Sequence, residues 1–156
     1  MASDSLQAYS IITTVLFIKL FIALTIQAGK SYEAGTRSPE DAKKDGVPPQ
    51  DYGLATDQEL GRDVHAQAKL ADKRWRRIVQ NDLENIPMAL FVILASILVG
   101  GNGACNIVFM SIFTVARIIH TYVYARALQP QRFVFYIIGQ LAVLASALNG
   151  VISFLT

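Results

Sequence analysis

The sequence predicts an all-α integral membrane protein: a four-helix bundle with both termini on the non-cytosolic side. Three observations predict it. More than half of the 156 residues are apolar, 53%, and they gather into four segments of spanning length. The second, third and fourth segments are joined by turns of a few residues. Ten of the fourteen basic residues lie between Lys30 and Arg77, whereas the first eighteen residues, Gly100 to Asn106 and everything after Arg132 contain none. Lys and Arg accumulate on the cytosolic side of membrane proteins. With four spans, the basic loop and the turn bearing Arg126 and Arg132 fall on one side, and both termini and the other turn fall on the opposite side.

The first span reads 6–28, with Lys19 as its one charge. At about 1.5 Å per residue it crosses a hydrocarbon core of about 30 Å. A cleaved signal peptide needs a basic start, and Met1 to Ser5 carries only Asp4. The loop 29–77 is expected to be cytosolic. Gly35, Gly46, Pro48, Pro49 and Gly53 break its first half. Ser38-Pro39-Glu40-Asp41 has the residues of a helix start, with Ser at the cap, Pro at the first position and acids in the first turn. From Asp57 to Arg77 the composition favours a helix that carries span two, 78–99, out of the membrane as a stalk. Pro87 removes the N–H that would serve the Leu83 carbonyl, so a kink is expected there. The turn Gly100 to Gly103, GGNG, leads to span three, 104–127, and Leu128 to Gln131, LQPQ, leads to span four, 133–155. The chain therefore reads as one domain, 1–156.

Several classes are excluded on composition. A net charge of +2 arising mainly in the loop gives no support for nucleic-acid binding and is explained by attraction to anionic headgroups. Cys105 is the sole cysteine and cannot form an intrachain disulfide. His65 and His120 are too few to make a metal site.

The chemistry lies in polar residues inside the spans, where ionisable groups are expensive and face the bundle interior. Arg77, Asn81, Glu84 and Asn85 share one face of span two, at i, i+4, i+7 and i+8. Arg117, His120, Thr121 and Tyr124 share a face of span three, and Arg132, Tyr136 and Gln140 follow at steps of four in span four. Structural explanations stand beside the functional one. Arg117 and Glu84 make a buried ion pair in one reading, Asn81 and Asn85 act as interhelical glue, His120 is a hydrogen-bonded core residue, and Lys19 pairs with Asp82. Arg74, Arg76 and Arg77 are equally explained as topogenic charges. Three stripes rich in cations and tyrosines and poor in acids favour a pocket for an anionic, polar ligand at the cytosolic surface.

Asn81-Asp82-Leu83-Glu84-Asn85-Ile86-Pro87, Ala116-Arg117-Ile118-Ile119-His120-Thr121 with Tyr124, and Pro130 with Arg132 resemble motifs of the MAPEG family, the membrane-associated proteins in eicosanoid and glutathione metabolism. Ser38-Pro39-Glu40-Asp41 is similar to that family's Asn-Pro-Glu-Asp segment. The microsomal glutathione transferase branch is the nearest, with prostaglandin E synthase beside it. The resemblance implies a homotrimer in the endoplasmic reticulum, with the mitochondrial outer membrane as a further location. Glutathione would be bound as cosubstrate between subunits on the cytosolic side, and a hydrophobic electrophile or lipid would arrive from the bilayer.

Carried over by position, Lys30, Arg76, Arg77, Asn81, Glu84, His120, Tyr124, Tyr136 and Gln140 would bind glutathione, with Arg117 tying helices together. Arg132 would stabilise the thiolate, with Arg126 as its competitor. Reduction of lipid hydroperoxides by the same thiolate is implied as well. This chain departs from the family pattern at Lys30, where an arginine is usual, and at Val79, where a histidine is usual. It departs again at Phe133, where the prostaglandin branch has serine, and its turn before Arg132 is one residue shorter. A noncatalytic lipid-presenting homologue and a purely structural membrane protein are the rival readings.

Overall fold

The computed structural model describes residues 2–42, 48–54 and 62–155, and among them every regular element is helical. The helices are α1 (Ala2–Glu33), α2 (Arg62–Leu98), α3 (Gly103–Ala125) and α4 (Gln131–Leu155), with one turn of 3-10 helix at Pro39–Asp41. All four helices are long and apolar enough to cross a membrane.

The helix ends differ from the sequence-based spans where turn chemistry decides. α1 runs about one turn beyond 6–28 at each end. α2 begins at Arg62, so the stalk is continuous with span two, and Pro87 lies within an unbroken helix. Residues 57–61 of the expected stalk, and Gly46, lie outside the described residues. α3 stops at Ala125 rather than 127 because Ala127 adopts a positive φ of 57°, which ends a right-handed helix. The cis Gln129–Pro130 bond follows, and α4 starts at Gln131.

Two compact units make up the chain: residues 1–20 with 81–156, and residues 21–80. In the first, Leu16, Ile86, Ala89, Phe113 and Ala142 form one apolar cluster, and Ile93, Ile97 and Met110 form another with Ala8, Tyr9 and Ile107 around it. The outward faces are apolar too: Phe17, Phe91, Phe133 and Leu155 are exposed, as they are in a bundle solvated by lipid.

Small residues close the GGNG end of this unit. Ser96 and Ser146 each donate to the Asn106 Oδ1 at 2.9 Å, and Asn106 is 0% exposed. Helix α4 approaches α2 so closely here that a Cβ on Gly150 would lie 2.9 Å from Ser96 Cα. Asn102 then caps α3 by accepting from the Cys105 N–H at 3.1 Å.

In the second unit, polar side chains order the turn that follows α1. Gln50 donates to the Tyr32 carbonyl at 2.9 Å and accepts from the Arg37 N–H at 3.2 Å. Arg37 pairs with Asp41 at 2.8 Å across the 3-10 turn. The Ser38-Pro39-Glu40-Asp41 segment thus starts a helix of a single turn that ends at Ala42. The Glu40 carboxyl is held below its ordinary value by its own backbone N–H and, to a lesser extent, by the Ser38 hydroxyl.

Candidate functional site

Helices α3 and α4 present their polar stripes to one another, and α2 supplies a third. Deepest is a charged layer. Lys19 pairs with Asp82, and Arg117 Nη1 donates to Asn81 Oδ1 at 2.7 Å. The Arg117 guanidinium is 1% exposed and lies 5.4 Å from the Phe113 ring centroid and 5.6 Å from that of Tyr136. Its Nε and Nη2 and one oxygen of Asp82 have no hydrogen-bond partner among the described residues. Arg117 therefore ties α3 to α2 through Asn81 rather than through Glu84, which is exposed. An amide relay lies alongside: Gln140 donates to Asn85 Oδ1, and Asn85 Nδ2 donates to the Asn81 carbonyl at 2.6 Å. Three helices are thereby joined by side chains at the positions singled out in their stripes.

Above that layer the site becomes aromatic and cationic. His120 is buried, with its ring edge-on to Tyr124 at 5.6 Å and tilted to Tyr136 at 6.4 Å. Arg132 lies 4.4 Å above the Tyr124 ring, within the range of a favourable cation–π contact. His120, Tyr124, Arg132 and Tyr136 thus form one connected cluster, half-buried at Tyr124, Arg132 and Tyr136. Arg126 does not enter this chain of contacts. It stacks 5.5 Å from the Tyr122 ring, and Tyr122 is 58% exposed. The two arginines named for one role thus lie over different tyrosines.

The remaining candidates lie in the 21–80 unit. Lys30 pairs with Glu33 at 2.7 Å near the end of α1, and Arg77 is exposed on α2. Arg76 is engaged within the protein: its Nε donates to both oxygens of Asp72, at 2.9 and 3.1 Å, and its Nη2 donates to Thr36 Oγ1 at 3.0 Å. Asp72 was not singled out in the sequence. The signal was present, since an acid four residues before an arginine on a helix is a pairing position.

What the first unit can do chemically follows from its donors. It offers guanidinium, imidazole, phenol and amide groups on one polar face, and none of His120, Tyr124, Arg132 and Tyr136 is an acid, which favours a ligand that carries or develops negative charge.

The model of the MAPEG family matches residues 9–152. The chain belongs to the MAPEG family. That match takes in α2 and α3 whole and most of α1 and α4, and with the length and hydropathy of the helices it makes this an integral membrane protein. MAPEG members include glutathione transferases and eicosanoid enzymes, so membership brings a glutathione-related transferase, isomerase or related function at that level of description. No curated protein matches the chain.

Proposed function

We propose that this MAPEG protein is a membrane-bound glutathione transferase that also reduces lipid hydroperoxides. In this reading it is a homotrimer of the endoplasmic reticulum whose sites face the cytosol, and its second substrate is a hydrophobic electrophile drawn from the bilayer. The observation that carries the reading is Arg132 held over Tyr124 beside His120 and Tyr136.

Glutathione supplies the nucleophilic sulfur and, in the peroxidase reaction, the reducing equivalents. The donor set fits it: the ligand has two carboxylates, an ammonium and a thiol, and this face is rich in cations and amides. Arg132 holds negative charge at the sulfur, because a fixed guanidinium in a poorly solvated site favours the ionised thiol. Each tenfold gain in the thiolate-to-thiol ratio at a given pH corresponds to about 1.4 kcal/mol of preferential interaction. Tyr124 fixes the plane and height of Arg132, and His120 and Tyr136 wall off water. Asn81 and Gln140 orient the peptide through amide contacts, and Glu84 accepts from the ligand's ammonium. Lys30 and Arg77 attract its carboxylates. Lys30 does so as a point charge, without the bidentate geometry of an arginine.

Phe133, which follows Arg132 and is 66% exposed, offers no hydroxyl to the site, so the prostaglandin-type isomerase is not favoured. The test is conjugation of glutathione to 1-chloro-2,4-dinitrobenzene by purified wild type and Arg132→Ala, together with the ultraviolet absorbance of bound thiolate. The reading requires turnover and a thiolate signal in wild type and loss of both in a folded, still trimeric variant. Folded wild type with neither signal would make it a lipid-presenting protein instead.

A further inference from the structure

The exit of α1 is pinned by one carboxylate. Asp72, 4% exposed, accepts from Ser31 Oγ at 2.5 Å, from Thr36 Oγ1 at 2.8 Å and from Arg76 Nε. Ser31 sits in the last turn of α1 and also receives Gln27 Nε2 at 2.7 Å. Thr36 follows Gly35, whose φ of 69° turns the chain back. Arg76 reaches across this turn, its Nη2 lying 3.0 Å from Thr36 Oγ1 and 3.4 Å from the Thr36 carbonyl. Charge-assisted bonds of this kind are about twice as strong as neutral ones, and here they join α1, the loop and α2. Lys30 and Arg77, the two cations assigned to glutathione carboxylates, are the chain neighbours of Ser31 and Arg76.

We propose that Asp72 is a positioning residue for glutathione: by clasping Ser31, Thr36 and Arg76 it sets where Lys30 and Arg77 stand, and it makes Arg76 part of the clasp instead of a ligand. This rests on the glutathione reading above. A ligand arginine restrained by Asp72 gives the opposite behaviour, which makes the sign of one measurement decisive. If Arg76 were such a ligand, removing the Asp72 charge would release it and tighten glutathione binding. If Asp72 positions the exit of α1, the same change loosens the exit and weakens binding.

The experiment compares Asp72→Asn, Arg76→Gln and the double variant in full-length protein in detergent or nanodiscs. It measures steady-state kinetics with glutathione and 1-chloro-2,4-dinitrobenzene, and hydrogen exchange of residues 31–37 without glutathione. The expected result is a KM for glutathione raised about tenfold in Asp72→Asn, with kcat and the KM for the electrophile unchanged. Arg76→Gln shifts the same way, the double variant adds little, and exchange at 31–37 is faster. A lower KM in Asp72→Asn together with loss of glutathione binding in Arg76→Gln overturns the proposal, as does unchanged exchange. If Asp72→Asn does not fold, Thr36→Val removes one donor and is expected to move KM in the same direction by about threefold; an unmoved KM there overturns it. Wild type that binds no glutathione overturns the transferase reading and the affinity role with it, while the exchange arm still shows whether Asp72 holds the exit of α1.

Discussion

The two ends of the unit built from 1–20 and 81–156 are both polar, and they are polar in different ways. At the GGNG end, Ser96, Ser146 and Asn106 are uncharged and buried, both serines donate to Asn106 Oδ1 while Asn106 Nδ2 has no partner among the described residues, and Gly150 brings α4 against α2. At the other end, Arg132, Tyr124, His120 and Tyr136 are linked by ring and cation–π contacts, and three of the four are half-buried. Between them lies the Lys19–Asp82 and Arg117–Asn81 layer, charged, with Asp82 and Arg117 buried and Lys19 and Asn81 half-buried. Interhelical hydrogen bonds inside a membrane protein contribute modestly, about 0.6 kcal/mol on average, so a sealed neutral network is sufficiently explained by packing. A partly open cationic cluster is not, because its charges gain little from the fold itself. Polarity within a span is therefore not enough to propose a function; charge combined with access is the ground on which the Arg132 cluster is proposed.

The comparison is broken most severely in the middle layer. Lys19→Met removes the hydrogen-bonded partner of the buried Asp82 carboxylate, and removing one partner of such a pair costs about 3–5 kcal/mol. A large fall in thermal stability is expected, with activity lost in proportion to unfolding. Replacing both partners, Lys19→Met with Asp82→Leu, is expected to recover only part of that stability, because it also takes the carboxylate out of the layer that holds the buried Arg117 guanidinium. A double variant as stable as wild type would mean that Arg117 does not depend on Asp82.

At the open end the expected effect is catalytic. Arg132→Ala should lower kcat/KM for glutathione conjugation by about a hundredfold or more with little change in melting temperature. Arg126→Ala, which removes a cation stacked on an exposed tyrosine, should change kcat/KM by less than about threefold. Equal losses in the two variants would erase the distinction drawn from their ring partners. At the sealed end the reverse pattern is expected. Gly150→Ala forces a Cβ to within 2.9 Å of Ser96 Cα, and overpacking of this kind costs about 1–3 kcal/mol, while kcat/KM of the folded fraction stays at the wild-type value.

Much of this was legible in the sequence, and the reasons are physical. Four apolar segments, the GGNG and LQPQ turns and the steps of three and four among polar residues all follow from local periodicity, which survives without knowledge of tertiary contacts. The pairing of Lys19 with Asp82 was also within reach, because a mid-span cation needs an acid and few are available. What periodicity could not give was which neighbour each polar group chooses. Arg117 selects Asn81 over Glu84, Arg132 selects Tyr124, and Arg76 turns to Asp72 and Thr36. Each choice depends on the rotation of one helix against another, or on a turn such as the one at Gly35, and neither is written in a single helix's pattern. Helix ends were misplaced for a similar reason: the positive φ of Ala127 is a property of the turn, and alanine gives no warning of it.

The smallest effect is the most discriminating. Gly139 lies on α4 opposite α3, and a Cβ there would meet Phe113 Cδ2 at 3.6 Å, Ala116 Cβ at 3.8 Å and Arg117 Nε at 3.8 Å. All three are ordinary contacts, unlike those at Gly150. Alanine also favours a helix interior over glycine by about 1 kcal/mol, so Gly139→Ala should be stabilising by up to about that amount. The one opposing term is Arg117 Nε, a buried charged donor with no partner among the described residues. If ordered water serves it, as water does for many buried polar groups, a methyl that excludes this water offsets the gain. A raised melting temperature in Gly139→Ala would mean that the flank of Arg117 facing α4 is dry and the guanidinium is held by Asn81 and the two rings. A lowered one would place solvent in the charged layer and make that layer, like the Arg132 cluster above it, reachable from outside.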